Sequence, residues 1–199
     1  MRGVIICGGK VGEYITDYIK PDDFVICADS GYDNAKKFGI KADIVIGDMD
    51  STKYSDIPEE KRVYPKRKDY TDSELAIMYA EEKGFESVLL FGMIGTRMDH
   101  SLANIGMLSR LKNASIIDEN NQIYIAKDKF SLNGKVGDII SIIPFCNDLL
   151  GVTTDGLDYP LCDGMIKCGT SLGVSNVMTK DNFSITIKKG TALIIRSKD

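Results

Sequence analysis

The chain has no tryptophan and a single histidine, His100, among its 199 residues. One imidazole, with five cysteines that show no CxxC spacing, leaves no ligand set for a zinc site. His100 also has no serine or cysteine motif to pair with, so it reads as a structural residue rather than a base. Cys7 and Cys27 lie inside apolar runs, where cysteine packs as a small hydrophobe. An odd cysteine count without a disulfide framework reads as a reduced, cytoplasmic protein. Long apolar runs are missing as well. The N-terminus offers only Val4-Ile5-Ile6-Cys7 before Gly8-Gly9, too short for a signal peptide or a membrane span. Basic residues are not in excess: 25 Lys and Arg against 29 Asp and Glu give a net charge of -4, which argues against nucleic acid as a partner. What remains is 43% hydrophobic and 27% charged, enough to bury the core of one large domain or two small ones.

Strands and helices alternate up to residue 121. Apolar runs at 4–7, Phe24–Ala28, Ile44–Gly47, 62–64, Ser87–Phe91 and 115–117 read as strands. Helices are expected at 12–20, 31–38, Asp72–Lys83 and 101–112, with Gly39 and Gly84 as C-terminal stops. In the last helix Leu102, Ile105, Leu108 and Leu111 form one apolar face, and in Asp72–Lys83 the apolar positions include Leu75, Met78 and Tyr79. The strands are continuous apolar runs rather than alternating ones, so both their faces are covered. This predicts an α/β fold: a Rossmann-like, mostly parallel sheet with helices on both faces, and ligands beyond the carboxyl ends of the strands. From 122 to 199 the pattern is short strands at 122–126, 130–132, 138–143, 150–154, 165–167, 173–178, 183–188 and 192–196, punctuated by Asn-Gly, Asp-Gly and Lys-Gly pairs. That predicts a second, all-β sandwich domain. The expected boundaries are therefore 1–121 and 122–199.

Acidic motifs stand at the predicted strand ends. Asp48 and Asp50 occupy Gly47-Asp48-Met49-Asp50-Ser51, and an extended backbone would point both carboxylates to one side. At about 4 Å and an effective dielectric near 20, two like charges repel by roughly 4 kcal/mol. A cation, a proton or ample water must separate them. The bland alternative is a solvated Asx-turn with Ser51 capping the next segment. A second motif is Lys68-Asp69-Tyr70-Thr71-Asp72-Ser73-Glu74. Thr71 and Glu74 fit a capping box, and Asp72 suits the first turn of a helix; neither reason explains Asp69. The basic run Lys66-Arg67-Lys68 just ahead of these acids is an ordinary solvated face unless metal and phosphate bind together. Carboxylates in such places suit Mg²⁺ carrying a polyphosphate.

Three loops complete the set. Residues 92–100 follow a strand and open a helix; they offer Arg97 as a phosphate clamp, or only a turn with Asp99 or Ser101 as N-cap. Gly8-Gly9-Lys10-Val11-Gly12 is a nucleotide-facing turn or a plain connection, and Asp29 in Ala28-Asp29-Ser30-Gly31 is an N-cap or a ligand contact.

In this order, and with Thr170-Ser171-Leu172-Gly173-Val174-Ser175-Asn176 near the C-terminus, the motifs resemble the thiamine pyrophosphokinase family. The resemblance implies a first domain, 1–121, that binds ATP and Mg²⁺, and a thiamine-side domain, 122–199. It implies a homodimer with a shared active site and transfer of a pyrophosphoryl group from ATP to the thiamine hydroxyl. On that resemblance Asp48, Asp50, Asp69 and Asp72 hold the metal, and Lys68 and Arg97 neutralise the transferred group. Asp29, Lys68, Asp69 and Thr71 contact the nucleotide side, Asp72 or Asp99 takes the hydroxyl proton, and Ser175 and Asn176 orient thiamine. No membrane and no nucleic acid is expected. The alternatives are a pyrophosphokinase for another substrate, or a non-catalytic sensor that binds a nucleotide or thiamine diphosphate.

Overall fold

A computed structural model describes residues 1–50, 52–54, 60–65 and 67–198; the readings of Ser51 as a cap and of Lys66 in the basic run fall outside the described residues. The chain divides into two compact units, Met1–Glu119 and Asn120–Asp199.

In the first unit the elements run β1 (Arg2–Ile6), β2 (Phe24–Ala28), α1 (Gly31–Lys37), β3 (Ile44–Gly47), β4 (Lys61–Val63), α2 (Asp72–Lys83), β5 (Ser87–Phe91), α3 (Met98–Met107) and β6 (Ala114–Ile117). The strands lie in the order β6-β5-β1-β2-β3-β4, every neighbour parallel. The central strands are covered on both faces, which is why their apolar runs do not alternate. Val4, Ile6, Val25, Cys27 and Val45 pack with Tyr32 and Ala35 of α1 on one face. Ile5, Ile26, Ile44 and Ile46 are equally buried and, by strand alternation, point the other way. On that side Phe24 stacks on Tyr79 of α2 at 6.2 Å between ring centroids.

The chain steps outward from β1 to β4, then returns to the other side of β1 as β5. The loops that leave β1 and β5 therefore diverge, and a crevice opens at the carboxyl ends of the sheet.

The second unit holds β7 (Asn121–Ala126), β8 (Lys129–Asn133), β9 (Ile139–Pro144), β10 (Leu149–Asp155), β11 (Gly164–Ile166), β12 (Asn176–Val177), β13 (Asn182–Thr186) and β14 (Ala192–Ser197). One antiparallel sheet has the order β12-β9-β14-β7, another β11-β10-β13-β8. Ile140, Ile142 and Ile194 of the first share one buried cluster with Leu149, Val152, Phe183 and Ile185 of the second.

Three expectations are corrected. The segment 12–20 forms only a 3-10 turn, Glu13–Asp17, before Pro21. The strand expected at 173–178 shrinks to Asn176–Val177, because Gly173 at φ 95° and Ser175 at φ 56° cannot extend. Helix α3 runs Met98–Met107, not 101–112, and passes into a 3-10 turn at Leu108–Arg110. Of the expected leucine row Leu108 is buried and Ile105 and Leu111 are half-buried, but Leu102 is 61% exposed, and the buried residues within α3 are Ser101 and Asn104. All cysteines are free; Cys7 and Cys27 are buried, and Cys146, Cys162 and Cys168 are exposed. Among the described residues no helix is long and apolar enough to cross a membrane.

Candidate active site

The crevice of the first unit is a cleft of about 630 Å³. Its floor is backbone laid on backbone. Gly9 N–H donates to the Gly92 carbonyl at 3.0 Å, and Cys7 N–H to the Phe91 carbonyl at 2.9 Å. Gly92 has φ 66°, and a Cβ there would run into the Cys7 carbonyl, so only glycine lets these loops close. Asn34 of α1 clips the first loop from below, its Nδ2 donating to the carbonyls of Cys7 (2.8 Å) and Gly9 (2.9 Å). The Cys7 thiol sits 3.2 Å from the Met93 sulfur, and burial pushes it up to about 12. It is part of the floor and not a nucleophile.

Acids arrive from the ends of β2 and β3. Asp29 follows β2 in the left-handed region, at φ 45°, with its N–H tied to the Ile46 carbonyl at 2.8 Å. Its Oδ1 is buried and has no hydrogen-bond partner among the described residues. Asp48 and Asp50 follow β3. The backbone between them is not the extended one expected from their spacing: Met49 turns left-handed at φ 62°, and that turn brings the carboxylates together. The Asx contact is also present, Asp50 N–H reaching Asp48 Oδ1 at 3.3 Å. Asp29, Asp48 and Asp50 each place a carboxylate oxygen so that all lie within 4.8 Å of one another. An all-oxygen set with an unsatisfied buried oxygen fits a hard divalent cation such as Mg²⁺.

The N-terminus of α2 adds a cation. Lys68 Nζ donates to Asp72 Oδ1 at 2.7 Å and stands 3.9 Å from Asp48 Oδ2. Burial raises the Asp72 carboxyl, Lys68 opposes this, and the charges of Asp29 and Asp48 add to the rise; the net direction is up. Thr71 is the N-cap, its Oγ1 accepting from Glu74 N–H at 3.2 Å. The capping box is half formed, because Glu74 turns to Arg110 at 3.0 Å.

The loop before α3 supplies the opposite wall. Arg97 is the cap residue of α3, with no side-chain cap bond, so neither Asp99 nor Ser101 has that role. Arg97 instead grips Asp99 with two hydrogen bonds, 3.2 and 2.6 Å. That grip, with the His100 backbone N–H, lowers the Asp99 carboxyl to about 2. Ser101 Oγ accepts from Gly95 N–H and donates to the Arg97 carbonyl, each at 3.1 Å. Asn104 links the two helices: its Nδ2 donates to the Met93 carbonyl at 2.7 Å, and its Oδ1 accepts from Ser73 Oγ at 3.0 Å.

The second unit has a pocket of its own, about 590 Å³, lined by Tyr159 and residues 170–176. Asn176 is buried, and its amide is engaged with backbone: Oδ1 accepts from Tyr159 N–H and Val177 N–H, and Nδ2 donates to the Tyr159 carbonyl at 2.8 Å. Ser175 N–H donates to Ser141 Oγ at 3.0 Å. Tyr159 itself is 75% exposed.

Two family models match, one after the other. Residues 15–118 match the thiamin pyrophosphokinase catalytic domain, and residues 121–192 match the thiamin pyrophosphokinase vitamin B1 binding domain. The chain belongs to the thiamin pyrophosphokinase family. A thiamine pyrophosphokinase of Bacillus subtilis is 32% identical over 93% of this chain and 92% of its own length. A crystal structure of thiamine pyrophosphokinase from Bacillus subtilis superposes with a TM-score of 0.91 at 28% identity, covering both chains completely. At 15% identity the Candida albicans thiamin pyrophosphokinase still shares the fold, with a TM-score of 0.81 over 99% of this chain and 89% of that one. The activity is accordingly that of a thiamine pyrophosphokinase, a transferase and kinase.

Within this thiamin pyrophosphokinase fold the candidate site residues Asp29, Asp48, Lys68, Thr71, Asp72 and Arg97 line the cleft, and so does His100, exposed there rather than packed as a structural residue. Asp50 joins through the carboxylate cluster. Asp69 is exposed and belongs neither to the cluster nor to the cleft lining, and Asp99 enters only through Arg97. Asn34, Ser73 and Tyr159 were not singled out, and Asn104 had no assigned role. The signal for Asn104 was present: a polar residue one turn from Ser101, on the side of α3 away from Leu102.

Proposed function

We propose that the chain transfers the pyrophosphoryl group of ATP to the thiamine hydroxyl, giving thiamine diphosphate and AMP, as a cytoplasmic enzyme. The observation that carries this reading is the convergence of Asp29, Asp48 and Asp50 within 4.8 Å at the carboxyl ends of β2 and β3, two neighbouring strands of a parallel sheet. Asp48 and Asp50 would hold Mg²⁺ with Asp29, and Asp72, which also lines the cleft, would join through water; Asp69, outside the cleft, takes no part in this reading. When bound, Mg²⁺ offsets charge on the polyphosphate oxygens.

The chain's own groups position the reactants. Lys68 and Arg97 neutralise the transferred group, and the exposed Thr71 and the bare backbone at Gly8 and Gly9 leave room for phosphate oxygens beside a helix N-terminus. The thiamine hydroxyl attacks the β-phosphorus in line while AMP departs. Of the two candidate bases, Asp99 is disfavoured, since a carboxylate held near 2 is a poor proton acceptor. Asp72, raised and lining the cleft, is the better acceptor. Residues 1–121 are read as a Rossmann-like catalytic domain, and 122–199 as a β-sandwich that carries thiamine at Ser175 and Asn176. Asn176 acts there by holding the Tyr159 backbone. A homodimer with a shared site is supported by the apolar side chains exposed around the second pocket, Leu172 at 53% and Val174 at 46%.

The test is purified protein with ATP, Mg²⁺ and thiamine, following AMP and thiamine diphosphate together. Equal appearance of both, dependent on thiamine, is expected. AMP release indifferent to thiamine would point to another acceptor, and saturable binding without turnover to a sensor. Asp48→Asn and Asp72→Asn should each lower AMP release by about a hundredfold or more.

A further inference from the structure

Among the residues of the acidic cleft, Lys68 holds an unusual place. Its neighbour Arg67 is exposed, but the Lys68 side chain is 11% exposed and turned inward. Its Nζ lies between Asp72 Oδ1 at 2.7 Å and Asp48 Oδ2 at 3.9 Å. Asp48 is one of the three carboxylates that converge for a cation, and Asp29 and Asp48 both act electrostatically on Asp72. The ammonium thus sits against the same anionic charge that a divalent ion would need. Ammonium and divalent cation compete for that charge, because each loses much of its attraction once the other has neutralised it.

We infer that Lys68 is a resident counter-cation that makes metal entry depend on nucleotide. Without nucleotide, Lys68 holds Asp72 and Asp48 and keeps free divalent ions weakly bound. A triphosphate offers Lys68 a better anionic partner, so its ammonium swings from the carboxylates to phosphate oxygens and Asp48 becomes available. Lysine suits this exchange: its charge is compact and its stem is flexible, whereas an arginine fork would stay docked on a carboxylate. Metal and triphosphate then bind with positive coupling, each releasing a group the other requires.

The inference rests on the reading of the acids as a cation site, and its main test does not use turnover. Mn²⁺ binding to nucleotide-free protein is measured by electron paramagnetic resonance for the wild type, Lys68→Met, Lys68→Gln and Lys68→Arg. Lys83→Met, which removes the same charge at the far end of α2, is the control. The neutral variants should bind Mn²⁺ about tenfold more tightly than wild type. Lys68→Arg and Lys83→Met should stay within about twofold of wild type, well below the scale of typical coupling. In EDTA, the neutral variants should bind ATP more weakly than wild type. Two neutral variants guard against one failing to fold. Equal or weaker Mn²⁺ binding by both overturns the inference, as does an equal gain in Lys83→Met. Unchanged metal-free ATP affinity overturns the proposed exchange. Because the Mn²⁺ arm contains neither thiamine nor ATP, a failure of the assigned reaction leaves its result readable.

Discussion

Asp29 holds a backbone conformation that most side chains avoid, and it buries an oxygen that no group among the described residues satisfies. Asparagine tolerates the same left-handed backbone, so Asp29→Asn tests the carboxylate without disturbing the turn. The variant should melt no lower than wild type, since it removes a buried, unpaired charge. The Mg²⁺ concentration for half-maximal activity should rise about tenfold or more, because the site loses one formal charge. A Mg²⁺ titration beside a thermal scan checks both. A lower melting temperature with an unchanged Mg²⁺ requirement would make Asp29 a structural residue. At Asp48 and Asp50 the residue types alone pointed to a cation. The fact that a left-handed Met49 brings them together was not legible, because any residue between two aspartates leaves the same spacing in sequence.

At the scale of elements, the site depends on how α2 and α3 present their first turns. Asn104 is the brace: one amide holds the β5–α3 loop through Met93 and the start of α2 through Ser73. Asn104→Ala leaves the buried Met93 carbonyl without this donor, and should cost about 1 to 3 kcal/mol of stability. It should also slow AMP release while leaving the acids in place; denaturant unfolding and the coupled product assay measure the two effects. Thr71→Ala removes the N-cap and should cost about 1 kcal/mol. The bounds of β2, β3 and β5 were legible because each is a continuous apolar run, and those of α2 because Thr71 caps its start and Gly84 stops its end. Helix α3 misled because its buried face is polar. Ser101 and Asn104 turn inward to satisfy the loop, so Leu102 at the head of the hydrophobic row is left outside while Leu108 further along stays buried. Likewise 173–178 looked like a strand from its residue types, but positive φ at Gly173 and Ser175 makes it a pocket wall.

At the scale of the whole chain, one ion pair links stability to acid. Arg2 at the start of β1 grips Asp23, just ahead of β2, with Nε at 2.8 Å and Nη2 at 2.6 Å, and the Asp23 side chain is only 2% exposed. Burial alone would raise this carboxyl; the Arg2 guanidinium and the Lys20 backbone N–H outweigh it and hold it below the ordinary value. A carboxyl lowered by folding adds stability above its unfolded pKa of about 3.9, and that stability is lost as pH falls through the lowered folded value. Asp23→Asn should therefore cost about 3 kcal/mol near neutral pH, and the gap to wild type should narrow below about pH 4. Urea unfolding at both pH values reads it. A gap independent of pH would mean that shape, not charge, holds the pair.

The placing of the thiols gives the molecule a built-in stopwatch. Both buried cysteines lie in Met1–Glu119, and all three exposed ones in Asn120–Asp199. Iodoacetamide at neutral pH should therefore mark Cys146, Cys162 and Cys168 at once, while Cys7 and Cys27, whose thiols burial keeps protonated, wait for the parallel sheet to open. The arrival time of the fourth and fifth adducts in a mass spectrum would clock the opening of Met1–Glu119 alone, with no engineered label.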